Sequence, residues 1–204
     1  TTLIASLVTA DPGELLRQVT ALADQARAGL IAGIHLEGPW LAAQRCGAHD
    51  ASLLRDPDPE ELDSLLSAGG ETIRMVTLAP ERAGALAAIG RVIDAGAVAA
   101  VGHTEATYEQ TSAAIKAGAT VGTHLFNAMR PIHHREPGPV IALLEEPGVT
   151  VELIADGVHV APALYRHVSA SVGPDRVSLV TDAMAAAGMT DGGYRLGPLA
   201  VDVV

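Results

Sequence analysis

Five polar side chains recur in this sequence in the same setting, each just after a short apolar run. Glu37 follows Gly33-Ile34-His35-Leu36, and His103 follows Val101-Gly102. His124 follows Val121-Gly122-Thr123, Asp156 follows Leu153-Ile154-Ala155, and Asp182 follows Leu179-Val180-Thr181. One Glu and two His make a mixed oxygen and nitrogen donor set suited to a divalent cation such as Zn²⁺, with a coordination position left for water. Such a cation lowers the pKa of bound water to about 7 and so makes a nucleophile at neutral pH. A further carboxylate can take the water's proton and pass it to a leaving amine. That chemistry is amide hydrolysis, with Asp182 as the candidate base.

Each residue also has a plainer reading. A single His at a strand end is more often a structural hydrogen-bonding group than a ligand. An Asp after a strand often caps the next helix. The stronger reading requires the apolar runs to be parallel strands whose C-terminal ends meet at one face. His35 points away from its immediate neighbours along the strand and is read either as structural or as support for the ligands. His133 and His134 are read as loop residues, and Cys46, the lone cysteine, as a buried spectator thiol.

The elements that would position these groups are legible as a repeat. Short β-type runs cover Leu3–Val8, Leu30–Leu36, Ile73–Leu78, Val98–Val101, Ala119–Thr123, Thr150–Ile154 and Val177–Val180. They are nearly continuous in apolar character, as strands buried on both faces are. Helical patterns lie between most of them. Asp11-Pro12 opens one, with Leu15, Leu16, Val19, Leu22 and Ala26 on one face. Pro59 to Ala68 and Glu81 to Ala95 are similar, and Gly29, Gly69, Gly96 and Gly118 stand at helix ends. Strand then helix, repeated, predicts an α/β fold with a parallel sheet. Two architectures suit the count: a doubly wound sheet, or a (β/α)₈ barrel missing one strand. From Gly192 onward Tyr194, Leu196, Leu199, Val201 and Val203 alternate with other residues, which predicts a small antiparallel element. The expected division is therefore a catalytic domain over 1–190 and a β insertion or C-terminal β element over 191–204.

Bulk properties narrow the partners. The 204 residues carry a formal charge of −11 without a Lys/Arg cluster, which argues against nucleic acid and anionic membrane surfaces. A phosphorylated ligand would need a local cation. Arg135 offers one, in the irregular stretch from Met129 to Pro139. No apolar run reaches the roughly 18 to 20 residues of a membrane span, and no signal-peptide pattern opens the chain. A single cysteine suits a reducing cytoplasm.

The motifs then become recognisable. His35-Leu36-Glu37-Gly38-Pro39, Val101-Gly102-His103-Thr104, Thr123-His124-Leu125-Phe126-Asn127-Ala128-Met129, Arg135-Glu136-Pro137-Gly138, Ala155-Asp156-Gly157-Val158-His159 and Leu179-Val180-Thr181-Asp182-Ala183-Met184 run in order along the chain. Together they resemble the N-acetylglucosamine-6-phosphate deacetylases of the amidohydrolase superfamily, whose fold is a TIM-type (β/α)₈ barrel. The resemblance implies deacetylation of N-acetyl-D-glucosamine 6-phosphate, with the galactosamine isomer or another small amide as the alternative. It implies a divalent metal, zinc first, with iron, manganese or cobalt as alternatives and one or two ions per subunit. Carried over residue by residue, Glu37, His103 and His124 hold the metal and Asp182 is the acid/base. Ala48 and His49 meet the substrate, with His49 polarising the acetyl carbonyl; Asn127, Ala128, Arg135 and His159 also contact it. A homodimer is implied, with Arg135 reaching the other subunit's phosphate.

In that family the third, fifth, sixth and eighth strands carry the Glu, the two His and the Asp. If Leu3–Val8 is the barrel's second strand, Glu37, His103, His124 and Asp182 fall on those four strands. The chain is thus expected to be a partial barrel, strand 2 to strand 8, without the first strand and its His-x-His motif and without the family's small β-sandwich. Cys46 stands where relatives commonly have a basic residue before the substrate-contacting His.

Overall fold

A computed structural model describes residues 2–197 and 199–204. One sheet holds β1 (Ile4–Leu7), β2 (Gly33–Glu37), β3 (Ile73–Leu78), β4 (Val98–Val101), β5 (Val121–Gly122), β6 (Thr150–Leu153) and β7 (Val177–Leu179). Every adjacent pair is parallel, and spatial order equals sequence order. Helices α1 (Pro12–Arg27), α2 (Pro59–Gly69), α3 (Ala85–Asp94), α4 (Tyr108–Lys116), α5 (Gly138–Glu145) and α6 (Pro162–Val172) occupy the successive gaps between strands. A doubly wound sheet would reverse its strand order at a switch point. No reversal occurs among the described strands, so the barrel is the architecture that stands.

The sheet is curled. Strands β2 and β5 are three positions apart, which in a flat sheet means about 14 Å at ~4.8 Å per strand. Yet Glu37 Oε1 at the end of β2 lies 2.9 Å from His124 Nε2 just past β5. Below them, His35 Nε2 lies 2.8 Å from Thr77 Oγ1, which lies 2.8 Å from Thr123 Oγ1. Polar side chains from β2, β3 and the end of β5 therefore meet across the concave face.

Alternation along β2 explains the division of labour. Ile34 and Leu36 join a continuous apolar cluster with Leu15 and Val19 of α1, Leu62 and Leu65 of α2, and Ile89 and Val92 of α3. His35 and Glu37, one residue out of step, take the other face. The cluster holds the strands in register, and the register sets where the inward residues sit.

Helix starts follow local chemistry. The Asp11 carboxylate accepts the Glu14 N–H and Asp58 accepts that of Glu61, in each case with Pro at the first helical position. Thr107 and Gln110 form a reciprocal capping box on α4. The helix expected from Glu81 begins instead at Ala85, because the Glu81 carboxylate accepts hydrogen bonds from Thr104 Oγ1 and the Glu105 N–H. The irregular stretch expected to reach Pro139 ends sooner, since α5 opens at Gly138. Of the expected helix-end glycines, Gly29, Gly96 and Gly118 take positive φ. At the fourth end the left-handed residue is Gly70, while Gly69 remains helical and packed against Ile73. Residues from Gly192 form an antiparallel hairpin, β8 (Gly192–Leu196) with β9 (Leu199–Val203), as their alternation predicts.

Candidate metal centre and substrate face

Among the described residues, five non-glycine residues have positive φ: His103, His124, Phe126, Ala128 and Asp182. All lie beyond the C-terminal ends of β4, β5 or β7. Backbone held in this sparsely populated region costs roughly 1–3 kcal/mol per residue and clusters at functional sites. Here it turns the two His side chains back across the concave face rather than along their strands.

The result is a triangle. His103 Nε2 and His124 Nε2 are 3.0 and 2.9 Å from Glu37 Oε1 and 3.1 Å from each other. Glu37, His103 and His124 are 5%, 6% and 3% exposed, so water does little to relieve their proximity. His103 Nδ1 donates to the Arg45 carbonyl at 2.7 Å. A neutral His103 then presents a bare lone pair at Nε2, facing a carboxylate oxygen and another ring nitrogen. Converging lone pairs call for a shared positive charge. Corners about 3 Å apart can all touch one cation at the ~2.0–2.2 Å of Zn–N and Zn–O bonds. Glu37, His103 and His124 therefore fit a divalent metal.

The electrostatics point the same way. Burial acts most strongly on Glu37 and would raise its pKa, but the hydrogen bonds of His103 and His124 carry it well below the ordinary carboxylate value. Burial likewise acts most strongly on His124, in the lowering direction, and the hydrogen bond and charge of Glu37 outweigh it, so its pKa lies above the ordinary value. Both shifts say that positive charge is favoured between these groups.

His49 stands against this centre, its ring edge-on to that of His103 at 4.6 Å between centroids. Burial first, and the neighbouring His103 second, lower its pKa to about 4. Asp182 remains solvent-accessible. Its carboxyl is nonetheless pushed above the ordinary value, first by the partial desolvation of its surroundings and then by the charge of Glu37. His159 belongs to the same face, since its charge acts on Asp182. The Asp156 carboxylate accepts the N–H groups of Val158 and His159 and pairs with His159 Nδ1 at 2.7 Å, which leaves His159 Nε2 as the outer ring atom.

The other predicted contact residues spread outward. Asn127 donates to the His124 and Leu125 carbonyls and so braces the turn that aims His124. The Ala128 carbonyl accepts the Thr104 N–H, tying that turn to the residue after His103. Ala48 is exposed beside His49. Arg135 lies in an exposed turn closed by His133 and Glu136; its own N–H donates to His133 Nδ1, and among the described residues its side chain makes no ion pair. His35 lies between Ser6 Oγ, at 2.9 Å from Nδ1, and Thr77, a structural hydrogen-bonding position.

Two participants escaped the sequence reading, Thr9 and the Arg45 carbonyl, and a third, Asp156, was singled out by its strand-end position but not for its contact with His159. Thr9 contacts His49, the Arg45 carbonyl fixes His103, and Asp156 orients His159. The last had a signal, because Asp-Gly-x-His is a spacing at which an Asp accepts N–H groups two and three residues on. A backbone carbonyl carries no such signal.

Residues 1–202 match the Amidohydrolase family. A variant of the N-acetyl-D-glucosamine-6-phosphate deacetylase of Mycobacterium smegmatis, solved in complex with N-acetyl-D-glucosamine-6-phosphate, is 70% identical with a TM-score of 0.98, covering 100% of this chain and 54% of that one. The N-acetylglucosamine-6-phosphate deacetylase of Lysinibacillus sphaericus is 39% identical over 85% of this chain and 45% of the relative. The N-acetylgalactosamine-6-phosphate deacetylase of Escherichia coli O157:H7 is 45% identical over 81% of this chain and 44% of the relative. The chain spans about half the length of the relatives it matches, as expected of a partial TIM-type barrel. No described helix is long and apolar enough to cross a membrane. With a candidate metal-ligand triangle at its strand ends and the family match along nearly its whole length, this chain belongs to the amidohydrolase family.

Proposed function

We propose that the protein carrying this chain hydrolyses N-acetyl-D-glucosamine 6-phosphate to D-glucosamine 6-phosphate and acetate. The observation that carries this is the meeting of Glu37, His103 and His124 within 3.1 Å, with the charges of Glu37 and both His acting on Asp182. Likeness to deacetylases of acetylated amino-sugar phosphates supplies the substrate class.

Glu37, His103 and His124 would hold a divalent cation, zinc first, which when bound would supply Lewis acidity and lower the pKa of water towards neutrality. The residues supply the remainder. Asp182, solvent-accessible and with its pKa raised, takes the proton of the attacking water and delivers it to the amine as the C–N bond breaks. His49 donates from its ring to the acetyl oxygen as negative charge develops there. His159, oriented by Asp156, together with Asn127, Ala128 and the segment at Ala48, positions the sugar. Arg135, exposed in the turn between His133 and Glu136, binds phosphate in the site of a second copy of the chain, which makes the working unit a homodimer. A lone cysteine suits the reducing cytoplasm.

The galactosamine isomer is the second reading, favoured by the 45% identity to the E. coli enzyme. Initial rates of acetate release by the full-length protein on both sugar phosphates and on N-acetylglucosamine without phosphate separate these readings. The glucosamine phosphate should show the highest kcat/KM, and the unphosphorylated sugar a value lower by at least about a hundredfold, the loss of a charge-assisted phosphate contact. Faster release from the galactosamine isomer would exchange the two readings, and no release from any of them would defeat both.

A further inference from the structure

We propose that Thr9, at the open end of the first strand, is a positioning residue that sets the ring tautomer of His49. The inference rests on His49 acting as donor to the acetyl oxygen and adds the group that makes it a donor.

The Thr9 N–H points at His49 Nδ1 at 3.2 Å, and the Thr9 hydroxyl lies 2.9 Å from the same atom. A backbone N–H can only donate, so Nδ1 must present its lone pair. A ring that accepts at Nδ1 is neutral and carries its proton on Nε2. The hydroxyl, converging on the same atom, donates as well. Both partners are buried, Thr9 at 2% and His49 at 7% exposure, so water does not compete for the contact. Among the described residues His49 Nε2 has no hydrogen-bond partner, while the ring stands edge-on to His103 at the candidate metal centre. The fold makes room for this arrangement. A Cβ on Gly38 would come within 2.6 Å of Thr9 Oγ1, so the residue after the ligand Glu37 must be glycine for the hydroxyl to reach His49. The same donor directed from Nδ1 would be of no use to the substrate, because that atom is already turned towards β1.

Imidazole ¹⁵N NMR on the full-length protein reads the tautomer without any turnover. His49, identified by comparison with His49→Gln, should show a protonated Nε2 and an unprotonated, hydrogen-bonded Nδ1. A proton on Nδ1 overturns the proposal. Thr9→Val removes the hydroxyl at nearly constant volume. It should lower kcat about tenfold with KM within about twofold, less than the 10²–10³ seen when an oxyanion donor is lost outright. It should also shift the Nδ1 signal, and Thr9→Ser should restore both. Wild-type kcat and an unmoved Nδ1 signal in Thr9→Val would overturn the proposal. The expected tautomer in a metal-loaded protein that releases no acetate would uphold the Thr9 assignment and defeat the deacetylase reading.

Discussion

Asp156 and Asp182 follow adjacent strands, each a few residues past the end of β6 or β7, yet their carboxylates live under opposite conditions. Asp156 accepts the His159 N–H, pairs with the His159 ring and accepts the Val158 N–H, and these bonds hold its pKa at about 2. Asp182 is raised above the ordinary value by desolvation and by Glu37. One carboxylate is fixed as a permanent anion whose work is to orient a histidine. The other is a carboxylate whose affinity for a proton has been increased. The same residue type at the same place in two βα units thus receives its role from its neighbours, which is how acid/base assignments separate in general.

The comparison breaks if the two aspartates prove interchangeable, and substitutions at each test this. Asp182→Asn in the full-length protein should cut kcat about a thousandfold, within the range of a lost general base, while metal content stays at the wild-type level. Metal loss in that variant would make Asp182 a ligand instead. Glu37→Gln should weaken metal binding by at least about a hundredfold, read by competition with a chelator, because it removes a ligand rather than a neighbour of one. Asp156→Asn should cost about tenfold in kcat/KM with the metal retained, since His159 loses its orientation but no reacting group is removed.

The smallest effect concerns stability. A depressed carboxyl pKa contributes stability above the unfolded value of about 3.9 and loses it as pH falls through about 2. Thermal unfolding of wild type and Asp156→Asn should therefore differ most near neutrality, with the wild type the more stable. The difference should close between pH ~4 and ~2. A constant difference across that range would mean that Asp156 matters through packing, not charge.

Much of the fold was legible because strands of a parallel sheet are apolar on both faces and read as nearly unbroken runs. The runs Ile73–Leu78 and Val98–Val101 coincide with β3 and β4. The run Leu30–Leu36 begins too early, because Leu30 lies in an exposed turn and pairing with β1 starts at Gly33. The meeting of Glu37, His103 and His124 as a candidate ligand set was legible by residue type and strand position. Its geometry was not, since curling, positive φ at His103 and His124, and the tautomer fixed by the Arg45 carbonyl are tertiary facts. Strand-end position alone also could not separate Asp156 from Asp182.

The central claim is tested most directly by acetate release from N-acetyl-D-glucosamine 6-phosphate, measured on the full-length protein before chelation, after it, and after return of Zn²⁺. Turnover should vanish on chelation and return with the metal. Turnover that survives complete metal removal, or a fully metal-loaded protein that releases no acetate, would contradict the assignment of Glu37, His103, His124 and Asp182.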